Sequence, residues 1–288
     1  MRFLKKFRHA YVWKRLLYER LTEPIHMNII SLFVLLFGSF RTKVLFDLVI
    51  RQHSAYSILK CADYAKNQGL KSITLIEFGV ANGAGLLNMA HIAKKITQIT
   101  GIEFKIFGFD TGTGMPSPAD YKDHPDLYRE NDFPMDIKRL EKFLSSNTTL
   151  IIGNIKDTVV PFLKQVTSEN PIGYVVMDLD YYKSTKDALL LFKEEPKKYL
   201  PKTILYLDDL EDESHNSYCG ELRAIHEFNI ENDLRKIERH KFFKSYRLLK
   251  NTRWIDHIFT LHVLDHPLRF EVKKRKKNPI VLENPYIN

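Results

Sequence analysis

The stretch LIEFGVANGAG, residues 75–85, sets the organisation of this 288-residue chain. An apolar, β-branched run at residues 73–78 predicts a strand, and residues 86–99 have the apolar spacing of a helix. Between them lies a glycine-rich turn, which lets a ligand approach bare backbone beside the free N–H groups of a helix start. The spacing G-x-x-x-G-x-G is neither a dinucleotide fingerprint nor a P-loop, so alone it does not separate a ligand site from a plain turn.

Strand-like and helix-like segments alternate along the rest of the chain. Strands are predicted at residues 73–78, 104–109, 149–152, 174–177 and 204–207, with a late antiparallel strand at 255–263. Helices are predicted at residues 86–99, 135–144, 158–166, 185–199 and 221–231. Apolar strands that alternate with helices are typical of an α/β fold with a doubly wound, mostly parallel sheet.

The composition fits one substantial globular domain with appendages, because 44% hydrophobic residues over this length can build a large core. We expect a helical N-terminal extension at residues 1–70, an α/β domain at 71–265 and a basic C-terminal tail at 266–288. Cys61 and Cys219 are the only cysteines, so no disulfide framework is indicated, and we expect a reducing, cytoplasmic location.

The basic charge lies at the two ends of the chain. The formal net charge is +9, but residues 1–20 hold seven Lys/Arg against one Glu, and residues 273–277 read KKRKK. The remainder is close to neutral, which argues against a nucleic-acid groove built into the domain, so we expect no nucleic-acid partner. The ends are compatible with solvated tails or with contact to an anionic membrane surface.

The N-terminal extension is predicted to be helical throughout. Residues 1–24 alternate basic and large apolar groups, as in a basic amphipathic helix. Residues 29–37, IISLFVLLF, fall short of the ~20 needed to cross a bilayer, so we expect a buried helix packed on the domain. Residues 41–69 predict a further helix that ends at Gly69. Peripheral membrane contact through the N-terminus and assembly into a homo-oligomer both stay open.

Residues 111–134 interrupt the alternation of strands and helices. They are rich in Asp, Pro and Gly and are long for a connection in a compact α/β domain. A functional loop or lid and a solvated surface loop both explain this composition.

Acidic residues follow most of the predicted strands, at the edge where open parallel sheets bind ligands. Asp110 follows the second strand and is placed to accept hydrogen bonds from two ribose hydroxyls. Asp178, Asp208 and Asp209 follow the fourth and fifth strands and should gather at one edge. Their mutual repulsion predicts a hard divalent cation, Mg²⁺ or Mn²⁺, bound by oxygen ligands. Asp180 would share the strand face of Asp178 if that strand continued.

Five motifs in this order carry a resemblance to a known family. They are E-F-G-x-x-x-G-x-G at 77–85, F-D-T-G-T-G-M-P at 109–116, G-N-I-K-D-T at 153–158, D-L-D-Y-Y-x-S-T-x-x-A-L at 178–189 and D-D at 208–209. The chain resembles class I S-adenosylmethionine-dependent methyltransferases over roughly residues 70 to 230. It is most similar to the metal-dependent macrocin O-methyltransferase type, which methylates sugar or phenol hydroxyls of natural products. The resemblance implies a Rossmann-like, seven-stranded sheet with the last strand antiparallel.

The resemblance also implies roles for individual residues. A cofactor-binding role falls on the following residues: Glu77, Gly79, Gly83 and Gly85 for the methionine part, Asp110 for the ribose, Asn154 and Asp157 for the adenine, and Asn82, Thr111 and Asp178 without an assigned part of the cofactor. Asp178, Asp208 and Asp209 would bind the metal, Asp180 would be the general base, and His215 is a second candidate for the base.

The sequence departs from the family pattern at two places. Gly112-Thr113 replaces an aromatic-acidic pair after the second strand, and Pro201-Lys202 replaces a Gly-Gly pair before the fifth. We therefore expect an O-methyltransferase that uses S-adenosylmethionine and Mg²⁺ on a small-molecule or glycan acceptor. Two alternatives stay open: a metal-dependent glycosyltransferase built on Asp178-Leu179-Asp180, and a non-catalytic protein that retains the methyltransferase fold. A nucleic-acid methyltransferase is a third, but it would be expected to carry its basic residues around the site rather than at the ends of the chain.

Overall fold

The computed structural model describes residue 13 and residues 16–210, 215–270 and 282–286. Within these ranges seven strands form one sheet: β1 Ser72–Phe78, β2 Glu103–Asp110, β3 Thr148–Ile152, β4 Ile172–Met177, β5 Tyr199–Leu207, β6 Arg235–Arg239 and β7 Ile258–Val263. Their order is β3-β2-β1-β4-β5-β7-β6, and β7 runs antiparallel to both of its neighbours. The predicted fold class and the late antiparallel strand are confirmed.

Helices cover both faces of the sheet. The α-helices of the described residues are α1 Ile25–Phe37, α2 Phe40–Leu45, α3 Gln52–Asn67, α4 Ala84–Thr100, α5 Ile137–Glu141, α6 Ile155–Phe162, α7 Tyr182–Ala188 and α8 Gly220–Glu231. Buried side chains of α3 and α4 belong to one core cluster, and those of α6, α7 and α8 belong to the other. Helix α3 lies in the predicted N-terminal extension, yet it packs into the core of the sheet domain.

The order of the strands places a ligand crevice at the carboxyl end of β1. This strand pairs in parallel with β2 on one side and with β4 on the other. The chain passes from β1 to β2 on one side and from β4 to β5 on the other, so the connections after β1 and β4 run in opposite directions. Open α/β sheets bind ligands at such a switch point.

Two predicted helices are interrupted in the structure, and one observed strand is not predicted from the sequence. The helix expected at residues 185–199 ends at Ala188, and two 3-10 turns, the second of which begins at Pro196, lead to β5 at Tyr199. The helix expected at 41–69 breaks between α2 and α3, where Asp47 and Arg51 have positive φ and a buried Arg247–Asp47 ion pair holds the turn. Strand β6 has no individual prediction, because its sequence RKIER lacks an apolar run.

The predicted burial of the apolar N-terminal helix is wrong. Residues 29–37 form the larger part of α1, as expected, but Phe33 is 61% exposed and Leu36 is 64% exposed. Most of the amphipathic helix expected at 1–24 and of the tail expected at 266–288 lies outside the described residues. No helix within the described ranges is long and apolar enough to cross a membrane.

Two glycines with positive φ allow the tightness of the glycine turn to be tested. Gly79 has φ +80°, and a Cβ there would lie 1.8 Å from the carbonyl oxygen of Asp178. Gly69 has φ +76°, but a Cβ added there would meet nothing within 4 Å. We expect Gly69→Ala to lower the free energy of unfolding by about 1–2 kcal/mol through backbone strain alone. Gly79→Ala should cost clearly more in urea denaturation, because β1 and the end of β4 must separate; equal losses would contradict this packing.

Candidate active site

A cavity of about 390 Å³ opens beyond the carboxyl ends of β1, β2, β4 and β5. The predicted site residues that line it are Gly79, Asp110, Thr111, Asn154, Asp178, Asp180, Asp208 and Asp209. The remaining predicted residues, Glu77, Asn82, Gly83, Gly85, Asp157 and His215, are not among its lining residues. The structure thus brings the strand-end acids together around one cavity, with the glycine turn at its side.

Asp110 holds the glycine turn in place. Its Oδ2 accepts hydrogen bonds from the backbone N–H groups of Val80 and Ala81, at 2.9 and 2.8 Å. Its Oδ1 accepts from Gly112 N at 2.7 Å. A carboxylate oxygen has two lone pairs, so only Oδ1 keeps a free acceptor position. Contact of both carboxylate oxygens with a ribose would compete with the bonds that fix the turn.

Glu77 lies beneath the same turn and is only 2% exposed. A Cβ at Gly85 would lie 1.7 Å from Glu77 Oε1, so only glycine allows the carboxyl group this position. Glu77 Oε2 has no hydrogen-bond partner. Burial raises the pKa of Glu77 to about 8. The turn therefore covers a buried acid that has one unsatisfied oxygen.

Carboxylates crowd together beyond β4 and β5. Asp178, Asp208 and Asp209 each offer an oxygen, and these oxygens lie within 4.8 Å of one another. Burial, followed by repulsion from neighbouring carboxylates, raises the pKa of Asp178 and of Asp209 well above the usual range. Such a set of oxygen donors fits a hard divalent cation, whose charge would remove the repulsion.

Asp180 reaches the site through a turn rather than along a strand. Strand β4 ends at Met177, so Asp180 does not continue the strand face of Asp178, because the backbone has already turned. Asp180 has φ +56°, in the left-handed region, and its N–H donates to Asp209 Oδ2 at 3.0 Å. Asp tolerates this conformation better than most residues, and such strain is common at functional sites.

His215 lies beside the acid cluster. An oxygen each from Asp180 and Asp209 and a ring nitrogen of His215 lie within 4.8 Å of one another. Neither ring nitrogen of His215 has a hydrogen-bond partner. Its ring packs edge-on against His124, with centroids 5.1 Å apart, and burial followed by repulsion from His215 lowers the pKa of His124.

Two residues of this site have no counterpart in the sequence prediction. Glu221, at the start of α8, is 2% exposed, accepts from Leu179 N and has an unpartnered Oε2. Its pKa is raised well above the usual range by burial and by the charges of Asp180 and Asp178. Tyr128 lines the cavity, and burial together with its hydrogen bond to Asp180 raises its pKa. Glu221 begins a predicted helix and could have been noticed there, but the sequence offers no signal for Tyr128.

The loop at residues 111–134 covers one side of the cavity. It contributes Met115, Pro116 and Phe133 to the lining, as well as Tyr128. Asp123, which is 1% exposed, anchors the loop, since its Oδ1 accepts from Lys183 N and its Oδ2 from Ala119 N. The loop is therefore fixed to the start of α7, next to the turn that carries Asp180.

The sequence matches no protein-family model and no curated protein. Solved structures with a similar backbone include the calicheamicin methyltransferase CalS11, at 21% identity and a TM-score of 0.46, covering 70% of this chain and 82% of that one. An rRNA methylase from Streptococcus thermophilus shares 14% identity over 71% and 93% of the two chains, with a TM-score of 0.32. The mycinamycin-pathway methyltransferase MycE, in complex with Mg, SAH and mycinamycin VI, shares 11% identity over 69% and 47%, with a TM-score of 0.34. These identities are too low to transfer an activity to this chain.

The buried carboxyl of Glu77 predicts a specific dependence of stability on pH. Its pKa is near 4.5 in the unfolded chain and about 8 in the folded protein. Between these values the folded state keeps a proton that the unfolded state loses, so stability falls as pH rises through this window. The contribution is at most about 1.4 kcal/mol per pH unit.

We therefore expect Glu77→Gln to flatten the decrease in unfolding free energy between these pH values. Urea denaturation of the wild type, of Glu77→Gln and of the control Glu103→Gln, whose side chain is exposed, measures the effect. The control should follow the wild type. A Glu77→Gln profile as steep as that of the wild type would show that Glu77 is ionised in the folded protein.

Proposed function

We propose that this chain is an S-adenosylmethionine-dependent O-methyltransferase, assisted by a divalent cation, that acts on a hydroxyl of a sugar, glycan or small natural product. One observation carries the proposal. Asp178, Asp208 and Asp209 converge at a cavity that also contains Asp180 and the glycine turn at the switch point of the sheet. A site for a cofactor and a site for a cation therefore adjoin each other.

The glycine-turn side of the cavity fits S-adenosylmethionine. Gly79, Asp110 and Asn154 line the cavity, and the unpartnered Oε2 of Glu77 lies beneath the turn. The methionine part of the cofactor carries an ammonium group, and a nearby positive charge favours an ionised carboxylate. Glu77 would then exchange its proton for an ion pair when the cofactor binds.

The acid side of the cavity fits Mg²⁺ or Mn²⁺. Asp178, Asp208 and Asp209 supply only oxygen donors, which is the set that such cations prefer. A bound cation would lower the pKa of an acceptor hydroxyl and orient it. Glu221, which is buried behind Leu179, adds a further negative charge to this side.

Asp180 is the proposed general base. S-adenosylmethionine bound beside the glycine turn would supply a methyl group on a positively charged sulfur, and the acceptor hydroxyl would have to lose its proton for the methyl ether to form. The hydroxyl proton would pass to the Asp180 carboxylate, which Tyr128 contacts by a hydrogen bond, while the backbone N–H of Asp180 donates to Asp209 Oδ2 and holds the turn. His215, with both ring nitrogens unpartnered, is the second candidate for this role.

The loop at residues 111–134 is proposed to contact the acceptor. Met115, Pro116, Tyr128 and Phe133 give it an apolar and aromatic lining next to the acids. An apolar wall combined with a few polar groups is typical of pockets for small molecules and sugars. This chemistry suits a small-molecule or glycan acceptor better than a polyanion, which would be repelled by the cluster of carboxylates.

The cation site is tested with Asp209→Asn and a control, Asp256→Asn, whose side chain is exposed outside the site. Binding of Mn²⁺, measured by electron paramagnetic resonance, should weaken at least about tenfold in Asp209→Asn and stay unchanged in the control. Affinity for S-adenosylmethionine, measured by calorimetry, should change little, because Asp209 lies on the acid side of the cavity. Wild-type Mn²⁺ affinity in Asp209→Asn would contradict the proposed cation site.

A further inference from the structure

Helix α1, Ile25–Phe37, carries its apolar side chains on the outside. Its buried residue is Ser31, at 6% exposure, whereas Phe33, Leu36 and Phe37 are 61%, 64% and 82% exposed. A helix on the surface of a globular protein normally has the opposite arrangement, with the apolar stripe facing the core. Exposed apolar surface of this extent marks a site of contact with another apolar phase.

A polar contact on the inner side of α1 joins the helix to the segment before it, and that segment is bonded to the rest of the domain. Ser31 Oγ donates to Met27 O and accepts from Arg20 Nη1. Arg20 Nη2 also donates to Phe46 O at 2.6 Å. Glu23 Oε1 accepts hydrogen bonds from the backbone N–H groups of Lys250 and Asn251, at 2.5 and 2.6 Å. The bond to Met27 O lies within the helix, so rotation of α1 to bury its apolar side would break the Arg20–Ser31 bond. The other contacts of Arg20 and Glu23 hold the segment before α1 on the domain.

We propose that α1 is a membrane-binding element that lies in the interface of an anionic lipid bilayer. The helix contains no Asp, Glu, Lys or Arg, so its outer face can enter the acyl boundary without burying a charge. The exposed apolar surface continues before the helix at Leu17, Tyr18 and Leu21, which are 51%, 61% and 65% exposed.

The dimensions of α1 suit an interfacial position. At ~1.5 Å per residue, its 13 residues extend about 20 Å, which is shorter than the ~30 Å hydrocarbon core of a bilayer. The helix can therefore lie in one leaflet but cannot cross. A tyrosine at the start of such a segment, here Tyr18, is typical of the boundary between headgroups and acyl chains.

Charge favours a membrane over a second copy of the chain as the partner of α1. Residues 1–20 carry seven Lys/Arg and one Glu. Basic residues next to an apolar segment are attracted to anionic headgroups and strengthen membrane binding. A second copy of the chain offers these basic residues no anionic surface of this kind, because its own residues 1–20 carry the same charge.

The test is flotation of the full-length chain with vesicles of phosphatidylcholine alone or of phosphatidylcholine with phosphatidylserine. The wild type should float with the anionic vesicles only, and less so as salt is raised. Phe33→Asp/Leu36→Asp should weaken this binding at least about tenfold, because two apolar side chains no longer enter the lipid. The matched control is Phe143→Asp/Ile230→Asp, whose parent side chains are 65% and 68% exposed elsewhere; it should bind as the wild type does.

Circular dichroism and thermal unfolding must show that both double variants are folded. The proposal is overturned if the wild type binds neither kind of vesicle, or if Phe33→Asp/Leu36→Asp binds as tightly as the control. It is also overturned if sedimentation shows a wild-type dimer that Phe33→Asp/Leu36→Asp dissociates, since a second copy would then cover α1. None of these outcomes depends on methyl transfer, so the proposed function is tested separately.

Discussion

The crowding of carboxylates beyond β4 and β5 is the constraint on which the rest of the site depends. Burial and mutual repulsion make Asp178, Asp209 and Glu221 costly in their ionised forms, as their raised pKa values indicate. A fold that keeps such a cluster next to a cavity loses stability unless protons or a cation neutralise it. In the proposed enzyme, the same crowding of carboxylates that lowers stability forms a cation site before the cation arrives. A cation bound there would orient an acceptor hydroxyl.

The acid cluster and the glycine turn pack directly against each other. Gly79 packs so closely on the carbonyl oxygen of Asp178 that no side chain would fit, and Asp110 ties the turn to the end of β2. A shift of the turn on binding a cofactor would therefore reach Asp178 directly. Asp180 follows in a left-handed turn, and its N–H donates to Asp209, so the proposed base is hydrogen-bonded to one of the proposed cation ligands.

The sequence predicts what depends on local pattern and misses what depends on tertiary placement. The clustering of the strand-end acids can be predicted from the sequence, because the carboxyl ends of parallel strands meet at one edge of the sheet. Asp178, Asp208 and Asp209 do meet there. The contact between Tyr128 and Asp180 cannot be predicted from the sequence, because Tyr128 lies in a long loop without periodicity. The apolar run at residues 29–37 correctly predicts a helix, but its burial is wrong because hydrophobicity alone does not say which apolar phase covers it. Strand β6 is missed because its charged residues suit a sheet edge rather than a core.

Calorimetric titration of the purified protein with S-adenosylmethionine, with and without Mg²⁺, and in parallel with UDP- and GDP-sugars, tests the central claim most directly. The account predicts saturable binding of S-adenosylmethionine, release of a proton as Glu77 ionises, and no binding of the nucleotide sugars. Binding of a nucleotide sugar without affinity for S-adenosylmethionine would contradict it and would make Asp178-Leu179-Asp180 a glycosyltransferase motif. A folded protein that binds neither would instead be a non-catalytic relative of the methyltransferase fold.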